Sequence, residues 1–312
     1  MQTLDARPIV KWAGGKRMLV PTLLSHLPSE IGTYVEPFAG GAALFFALAN
    51  EASSKRADAR TFRRAVLADR NEDLVACYRA VRDSVEELIV ALGAYRYDQK
   101  LFYEVRGRDP STMSDVERGA RLIFLNRTCF NGLWRVNGSG KFNVPFGRFK
   151  NPRIRDESGL RDASRALANV DVQFADFGEV TKSLKQGDFA YFDPPYVPVS
   201  KTADFTSYAE GGFGPKDQAR LVDTLRALRE KGILAMLSNA DTEAAHELYE
   251  DFAVHQVEAR RAINADSAKR GTMTEILVLN WGRPGYHAIA GRVAGGEIEK
   301  PKKTAAAKKT SS

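Results

Sequence analysis

Phe189-Ala190-Tyr191-Phe192-Asp193-Pro194-Pro195-Tyr196 runs from four apolar residues straight into an acid, two prolines and an aromatic ring. The apolar half reads as a short buried strand. Proline has no amide donor and a locked φ, so the pair ends the strand in a rigid turn. Asp193 and Tyr196 are thereby left at the strand's carboxyl end. In an open α/β sheet, that end is where ligands bind. An acceptor-rich turn beside a stacking ring suits a flat substrate that carries an amino group.

Strand signals on either side place this run in a larger sheet. Tyr34-Val35 leads through Glu36-Pro37-Phe38-Ala39-Gly40-Gly41 into a helical run over 42–50, and a second strand at 65–68 ends at Asp69. Further strands are expected at 172–174, 232–237, 254–258 and 275–279, giving seven in all. Apolar residues at helix spacing predict one helix over 72–92, another over about 115–125, and an amphipathic helix carrying Leu221, Val222, Leu225 and Leu228. Residues 132–136 and 141–144, joined by Asn137-Gly138-Ser139-Gly140, read as a β-hairpin. The β/α alternation is broken between about 75 and 165. We therefore expect a doubly wound, mostly parallel α/β core formed by 1–74 and 166–285, a mainly helical insert over 75–165 carrying the hairpin, and a disordered basic tail over 286–312.

Composition excludes several classes. No apolar run in the 312 residues reaches membrane-spanning length, and no signal-peptide pattern opens the chain, so a cytoplasmic protein is expected. Cys77 and Cys129 are too far apart for a zinc site or a disulfide framework, and the four histidines are scattered, so no metal is expected. The net charge is +7, of which the segment from Tyr286 onward, with six Lys/Arg and two Glu, supplies +4. Residues 121–155 hold eight Lys/Arg and no acid, interleaved with Phe124, Phe130, Trp134, Phe142, Phe146 and Phe149. That is the footprint of a nucleic-acid surface, although a solvated basic loop has the same charge.

Three further stretches bear on chemistry. Gly40-Gly41, between strand and helix, permits close backbone approach to a ligand. Asp69 ends the next strand, where an acid binds ribose hydroxyls or caps a helix. Asp176-Phe177 ends the third strand, with an acceptor for an exocyclic amine and a ring for a flat face. Lys11-Trp12-Ala13-Gly14-Gly15-Lys16 fails the phosphate-loop spacing, since Arg17 follows where Ser or Thr belongs. It offers instead a ring and a cation for a carboxylate. Together these residues suggest a nucleoside-type cofactor laid across the strand ends, with Asp193–Tyr196 beside its reactive group.

The motifs KWAGGKR (11–17), VEPFAGGAALFF (35–46), LADRNEDL (67–74), FLNRTCFNGLWRVNGSGKFNVPFGR (124–148), YFDPPYVPVSKTADFTSY (191–208) and LSNADT (237–242) resemble, in content and order, those of the Dam-type adenine-N6 DNA methyltransferases. The resemblance covers nearly all of 7–281. It implies a seven-stranded Rossmann-like methyltransferase sheet with a target-recognition insert, S-adenosylmethionine as cofactor and double-stranded DNA as substrate. It implies no obligate protein partner. Trp12 and Lys16 would border the methionine end of the cofactor, with Phe38, Gly40 and Gly41 below it. Asp69 would hold the ribose, Asp176 and Phe177 the adenine moiety. The target adenine would be flipped from the duplex. Tyr196 would stack on it, and Asp193 with the Pro194 carbonyl would accept from its N6 amino group beside the methyl donor.

On the insert, the resemblance makes Arg135 a guanine reader, since bidentate Arg–guanine pairing is the commonest specific contact. Asn131, Leu133 and Pro145 match base-contacting or wedging positions, and Arg148 and Lys150 phosphate contacts. Phe205 and Tyr208 fall in a segment, 200–214, expected to close over the flipped base. The expected target is GATC. An RNA amino-group methyltransferase and a DNA-binding relative without catalysis are the competing readings. A solitary enzyme and a restriction–modification partner fit the chain equally.

Overall fold

The computed structural model describes residues 3–54, 56–197, 213–260 and 272–288. In chain order these form α1 (Val20–Ser25), β1 (Glu30–Glu36), α2 (Ala43–Ser53), β2 (Thr61–Asp69), α3 (Glu72–Asp83), α4 (Val85–Gly93), α5 (Gln99–Gly107) and α6 (Asp115–Thr128). There follow α7 (Glu157–Leu167), β3 (Val170–Phe174), α8 (Phe177–Val180), β4 (Phe189–Phe192), α9 (Pro215–Glu230), β5 (Leu234–Ala240), α10 (Glu243–Leu248), β6 (Ala253–Arg260), β7 (Thr272–Leu279) and β8 (Gly285–Ala288).

All strands share one sheet in the order β3-β2-β1-β4-β5-β7-β6-β8. Strands β1 to β5 are mutually parallel, while β7 runs antiparallel to β5 and β6. From β1 the chain winds outward to β2 and β3, then returns to β4 on the other side. The crevice between the carboxyl ends of β1 and β4 is therefore the topological switch point, where doubly wound sheets bind ligands. Residue Asp193 immediately follows β4, so the Asp193–Tyr196 turn stands at this crevice.

Both faces of the sheet are covered, which is why β4 is buried at every position. One face packs Tyr34, Phe189, Met236 and Leu277 against α2, α3, α6 and α7; the other packs Phe192, Leu237 and Val278 against α9 and Tyr249. Truncating a fully buried ring such as Phe189 or Phe192 is worth about 3–5 kcal/mol in a setting of this kind.

The seven expected strands are present. An eighth, β8, pairs parallel with β6. The expected tail thus begins inside a strand: Gly285, with φ +123°, donates its amide to the Phe252 carbonyl at 3.1 Å and steers the chain onto the open edge of β6. The helix expected over 72–92 is two, broken at Ser84 (φ −142°, ψ 44°). The expected boundary at 74–75 falls within α3, whose Val75, Tyr78 and Val81 share a hydrophobic cluster with Leu88, Ile123 and Leu160. A smaller cluster of Phe102, Val105, Phe124, Leu125, Phe142 and Val144 lies inside the insert.

The expected hairpin is present as a short antiparallel chain reversal. The antiparallel bridge of Val136 with Phe142 is flanked by two cross-strand bonds, the Asn137 amide to the Lys141 carbonyl at 2.9 Å and the Asn143 amide to the Arg135 carbonyl at 3.0 Å, and Cys129 bridges Phe146. The Asn137 side chain accepts from the amides of Ser139 and Lys141, which closes the turn. Among the described residues, no helix is long and apolar enough to cross a membrane.

Candidate active site

Lys16 ties the acceptor turn together. Its ammonium is buried, 2.7 Å from Asp193 Oδ1 and 4.0 Å from Glu275 Oε2, and it donates to the Gly14 carbonyl at 2.6 Å. It also lies 4.8 Å from the Tyr196 ring centroid. The Tyr196 hydroxyl donates to Glu275 Oε2 at 2.5 Å. Burial pushes the Asp193 carboxyl above the usual carboxylate range, and the Lys16 charge opposes the rise. Backbone contacts pin the turn from both sides. Gln218 Nε2 donates to the Pro195 carbonyl at 3.0 Å, and the Val197 amide donates to Asn239 Oδ1 at 3.0 Å.

A second buried acid lies one strand away. Glu36, at the end of β1, accepts from the Tyr34 hydroxyl and from the Phe45 amide in the first turn of α2, both at 2.7 Å. Burial pushes its carboxyl up to about 8. A carboxyl raised on folding binds protons more tightly in the folded state, so its share of stability falls as pH rises between 4.5 and about 8. Glu36→Gln keeps an acceptor oxygen and removes the titration. The melting temperature of this variant relative to wild type is expected to climb across that window, by on the order of 5 °C. A scanning-fluorimetry series with a flat difference would contradict this.

The glycine turn is shaped by contact with the Lys11–Lys16 segment. Gly40 has φ +46°, and a Cβ there would sit 2.8 Å from Trp12 Cδ1. Its amide donates to Asp69 Oδ2 at 3.0 Å and its carbonyl accepts from the Tyr78 hydroxyl at 2.8 Å. Gly41 lies under the same tryptophan. Asp69 Oδ1 accepts the Asn71 amide at 2.8 Å. With the Arg70 amide also turned to it, the Asp69 carboxylate holds backbone donors on both oxygens and retains acceptor capacity for a further donor.

At the far end, Phe38 stacks on Phe177 with centroids 5.5 Å apart, and Phe213 meets both rings. Asp176 caps α8 by accepting from the Gly178 amide at 2.9 Å, and the same oxygen is 2.5 Å from Arg220 Nη2. The Arg220 guanidinium covers the Phe177 face at 4.7 Å.

The insert is fastened to this site by Asn126. Fully buried on α6, it accepts from the Lys11 amide (2.8 Å) and donates to the carbonyls of Lys11 (2.7 Å) and Gly132 (3.0 Å). Its side chain pairs with Lys11 as a neighbouring strand would. Gly132, with φ +66°, passes so close that a Cβ would meet Lys11 Cδ at 2.5 Å. Trp12 stacks on Trp134, which in turn packs on Phe142. Beyond this join, the reversal exposes Phe130 (48%), Leu133 (38%), Arg135, Pro145, Arg148 and Lys150, with Asn131 half-buried at φ +55°. Arg135 Nε donates to Asn143 Oδ1 at 2.8 Å.

The structure thus brings Lys16 to Asp193 and Tyr196, Trp12 to Gly40 and Gly41, Gly40 to Asp69, and Phe38 to Phe177, with Asp176 preceding Phe177 and Pro194 following Asp193. The residues Asn131, Leu133, Arg135, Pro145, Arg148 and Lys150 stand apart on the insert. Phe205 and Tyr208 lie outside the described residues. Sequence reasoning missed Glu275, Asn126, Arg220 and Phe213. Only Glu275 carried a signal, an acid at the start of the apolar run that forms β7. Among the described residues, no group of three or more His, Cys, Asp or Glu side chains could hold a metal ion. Burial pushes the Cys77 and Cys129 thiols up to about 12, which keeps them protonated.

Comparison with known proteins agrees with this geometry. The family model for D12 class N6 adenine-specific DNA methyltransferase matches residues 12–263. A type II methyltransferase of Lactococcus lactis subsp. cremoris is 42% identical over 287 residues, covering 89% of this chain and 97% of that protein. A type II methyltransferase of Methanocaldococcus jannaschii is 38% identical over 297 residues, covering 89% and 100%. The DNA adenine methylase of Escherichia coli K12 is 31% identical over 277 residues, covering 88% and 95%.

Proposed function

Because the chain belongs to the D12 class of N6 adenine-specific DNA methyltransferases, we propose that it moves the methyl group of S-adenosylmethionine onto an adenine flipped out of duplex DNA, within GATC. The observation that carries this reading is the Lys16–Asp193 pair beside Tyr196 at the β1/β4 crevice. An RNA substrate has no comparable support.

The residues present fit the cofactor. Asp69 keeps acceptor capacity for a ribose hydroxyl, the Gly40 turn runs under the Trp12 ring, and Phe38, backed by Phe177, offers an apolar ring to a purine. Asp176 Oδ2 is the acceptor for an exocyclic amine, because Oδ1 is engaged by Gly178 and Arg220. Trp12 and Lys16 close the methionine end. When bound, the cofactor supplies an electrophilic methyl on a good leaving group.

The protein orients and polarises the nucleophile. The N6 lone pair of adenine is delocalised into the ring and attacks poorly. Lys16 takes Asp193 Oδ1, which leaves Oδ2 and the Pro194 carbonyl to accept the two N6 hydrogens. Accepting both favours a tetrahedral nitrogen whose lone pair points at the methyl. With a methyl donor bound there, Asp193 Oδ2 would take the proton that N6 sheds on methylation and pass it to solvent. Tyr196 covers the face of the extruded base.

The basic insert holds the duplex. Arg135, its Nε fixed on Asn143, presents its remaining donors to guanine O6 and N7. Arg148 and Lys150 contact phosphate, and the exposed Phe130 and Leu133 fill the space left by the extruded base. Labelled cofactor incubated with duplexes that contain or lack GATC tests the reading. Label is expected on the GATC duplex alone. Label on neither contradicts the transfer, and equal label on both contradicts the site. Arg135→Ala is expected to lower kcat/KM on GATC by about 10- to 100-fold and to weaken binding to GATC while changing the affinity for a duplex lacking that guanine little. A uniform loss on both duplexes would make Arg135 a phosphate contact instead.

A further inference from the structure

We infer that Glu275 is a positioning residue for methyl transfer, anchoring the Tyr196 ring by its hydroxyl and sharing Lys16 with Asp193. The inference rests on the proposed role of Tyr196 as the ring that covers the target base.

Topology puts Glu275 in reach. It opposes Ala240 in the antiparallel β5–β7 pairing, so the start of β7 meets the carboxyl ends of the parallel strands. The next residues, Ile276, Leu277 and Val278, are fully buried, whereas the Glu275 side chain keeps 19% exposure at the mouth of the crevice. A carboxylate so enclosed needs partners. It has the Tyr196 hydroxyl at 2.5 Å and the Lys16 ammonium at 4.0 Å.

The consequence for catalysis is geometric. Pro194 and Pro195 fix the backbone before Tyr196, but the ring still turns about its own side-chain torsions. A hydrogen bond at the far end of the ring fixes its plane, and the Lys16 ammonium 4.8 Å from the centroid supports it. Burial, with Asp193 and Glu275 nearby, pushes the phenol well above its ordinary range, so it stays a donor throughout the working pH range. Without Glu275 the phenol loses its acceptor and Lys16 has Asp193 as its single carboxylate partner. The base-covering ring and the acceptor that activates N6 then lose their common tether.

The test is a double-mutant cycle read as single-turnover methyl transfer to unmethylated plasmid DNA, with cofactor affinity measured in parallel. Tyr196→Phe and Glu275→Ala are each expected to slow transfer about tenfold, the scale of a hydrogen bond to a charged group. Their combination is expected to be no slower than the worse single variant. Glu275→Gln, which keeps an acceptor oxygen, is expected to retain most of the rate. Cofactor affinity is expected to stay within about twofold of wild type throughout. A double variant slowed about a hundredfold, the product of independent effects, would overturn the inference. So would wild-type rate in Glu275→Ala, or a loss confined to cofactor affinity. Should Glu275→Ala not fold, Tyr196→Phe decides alone, because an unchanged rate there removes the anchor. An inactive wild-type protein would count against the methyl-transfer reading instead.

Discussion

Replacing Asp193 by alanine is expected to lower the single-turnover rate of methyl transfer by about a thousandfold while leaving DNA affinity within about twofold. The size follows from what is lost. In the proposed reaction Asp193 Oδ2 would be one of two acceptors for the N6 hydrogens, and its charge would offset the positive charge that develops on the base. Binding is expected to survive because the basic residues proposed to hold the duplex are on the insert, not on this turn. Lys16, left buried without its nearest carboxylate, costs stability in this variant, so a melting curve should accompany the kinetics. Asp193→Asn keeps an acceptor oxygen and separates the two effects: it is expected to melt nearer wild type but to recover little of the rate. A rate within tenfold of wild type in Asp193→Ala would remove Asp193 from the chemistry.

Replacing Lys16 by methionine is expected to have the next largest effect, on rate and on pH dependence together. Lys16 is the cation between Asp193 and Glu275, and it holds down an Asp193 carboxyl that burial has raised. Asp193 also faces Glu36 and Tyr191, neither of which brings positive charge. Without the lysine the carboxyl rises further, since a charged neighbour is worth about 1–3 pH units. The ionised acceptor then disappears at higher pH, and the acid limb of the kcat/KM profile moves upward by at least about one unit. Stability at neutral pH is expected to fall by on the order of 3 kcal/mol, and by less in acid, where the carboxyls are already protonated. An acid limb that stays in place would mean that Lys16 does not set the charge of Asp193.

Much of the sheet was legible because apolar runs that end in Asp, Gly or Pro mark strands in a covered parallel sheet. The four residues of β4 and the prolines after them suffice for one strand and its end. Asp69 and Asp176 were legible for the same reason, each being the polar residue that stops a strand. What stayed hidden depends on contacts between distant segments. Glu275 is merely an acid before Ile276 until β7 pairs antiparallel with β5. Asn126 reads as one more polar residue on a helix until it pairs with Lys11 across 115 positions. Arg220, on the outward side of an amphipathic helix, gives no sign that it covers Phe177. The break at Ser84 was missed because apolar spacing continues through it.

The central claim is that the Asp193–Tyr196 turn methylates adenine N6 at the site selected by the basic reversal around Arg135. The most direct test is single-molecule sequencing of DNA from cells that lack other adenine methylation and express either this chain or its Asp193→Ala variant. N6-methyladenine is expected at GATC with the wild-type chain and nowhere with the variant. Methylation that persists in the variant, or that falls on cytosine or on adenines without regard to GATC, would contradict the account.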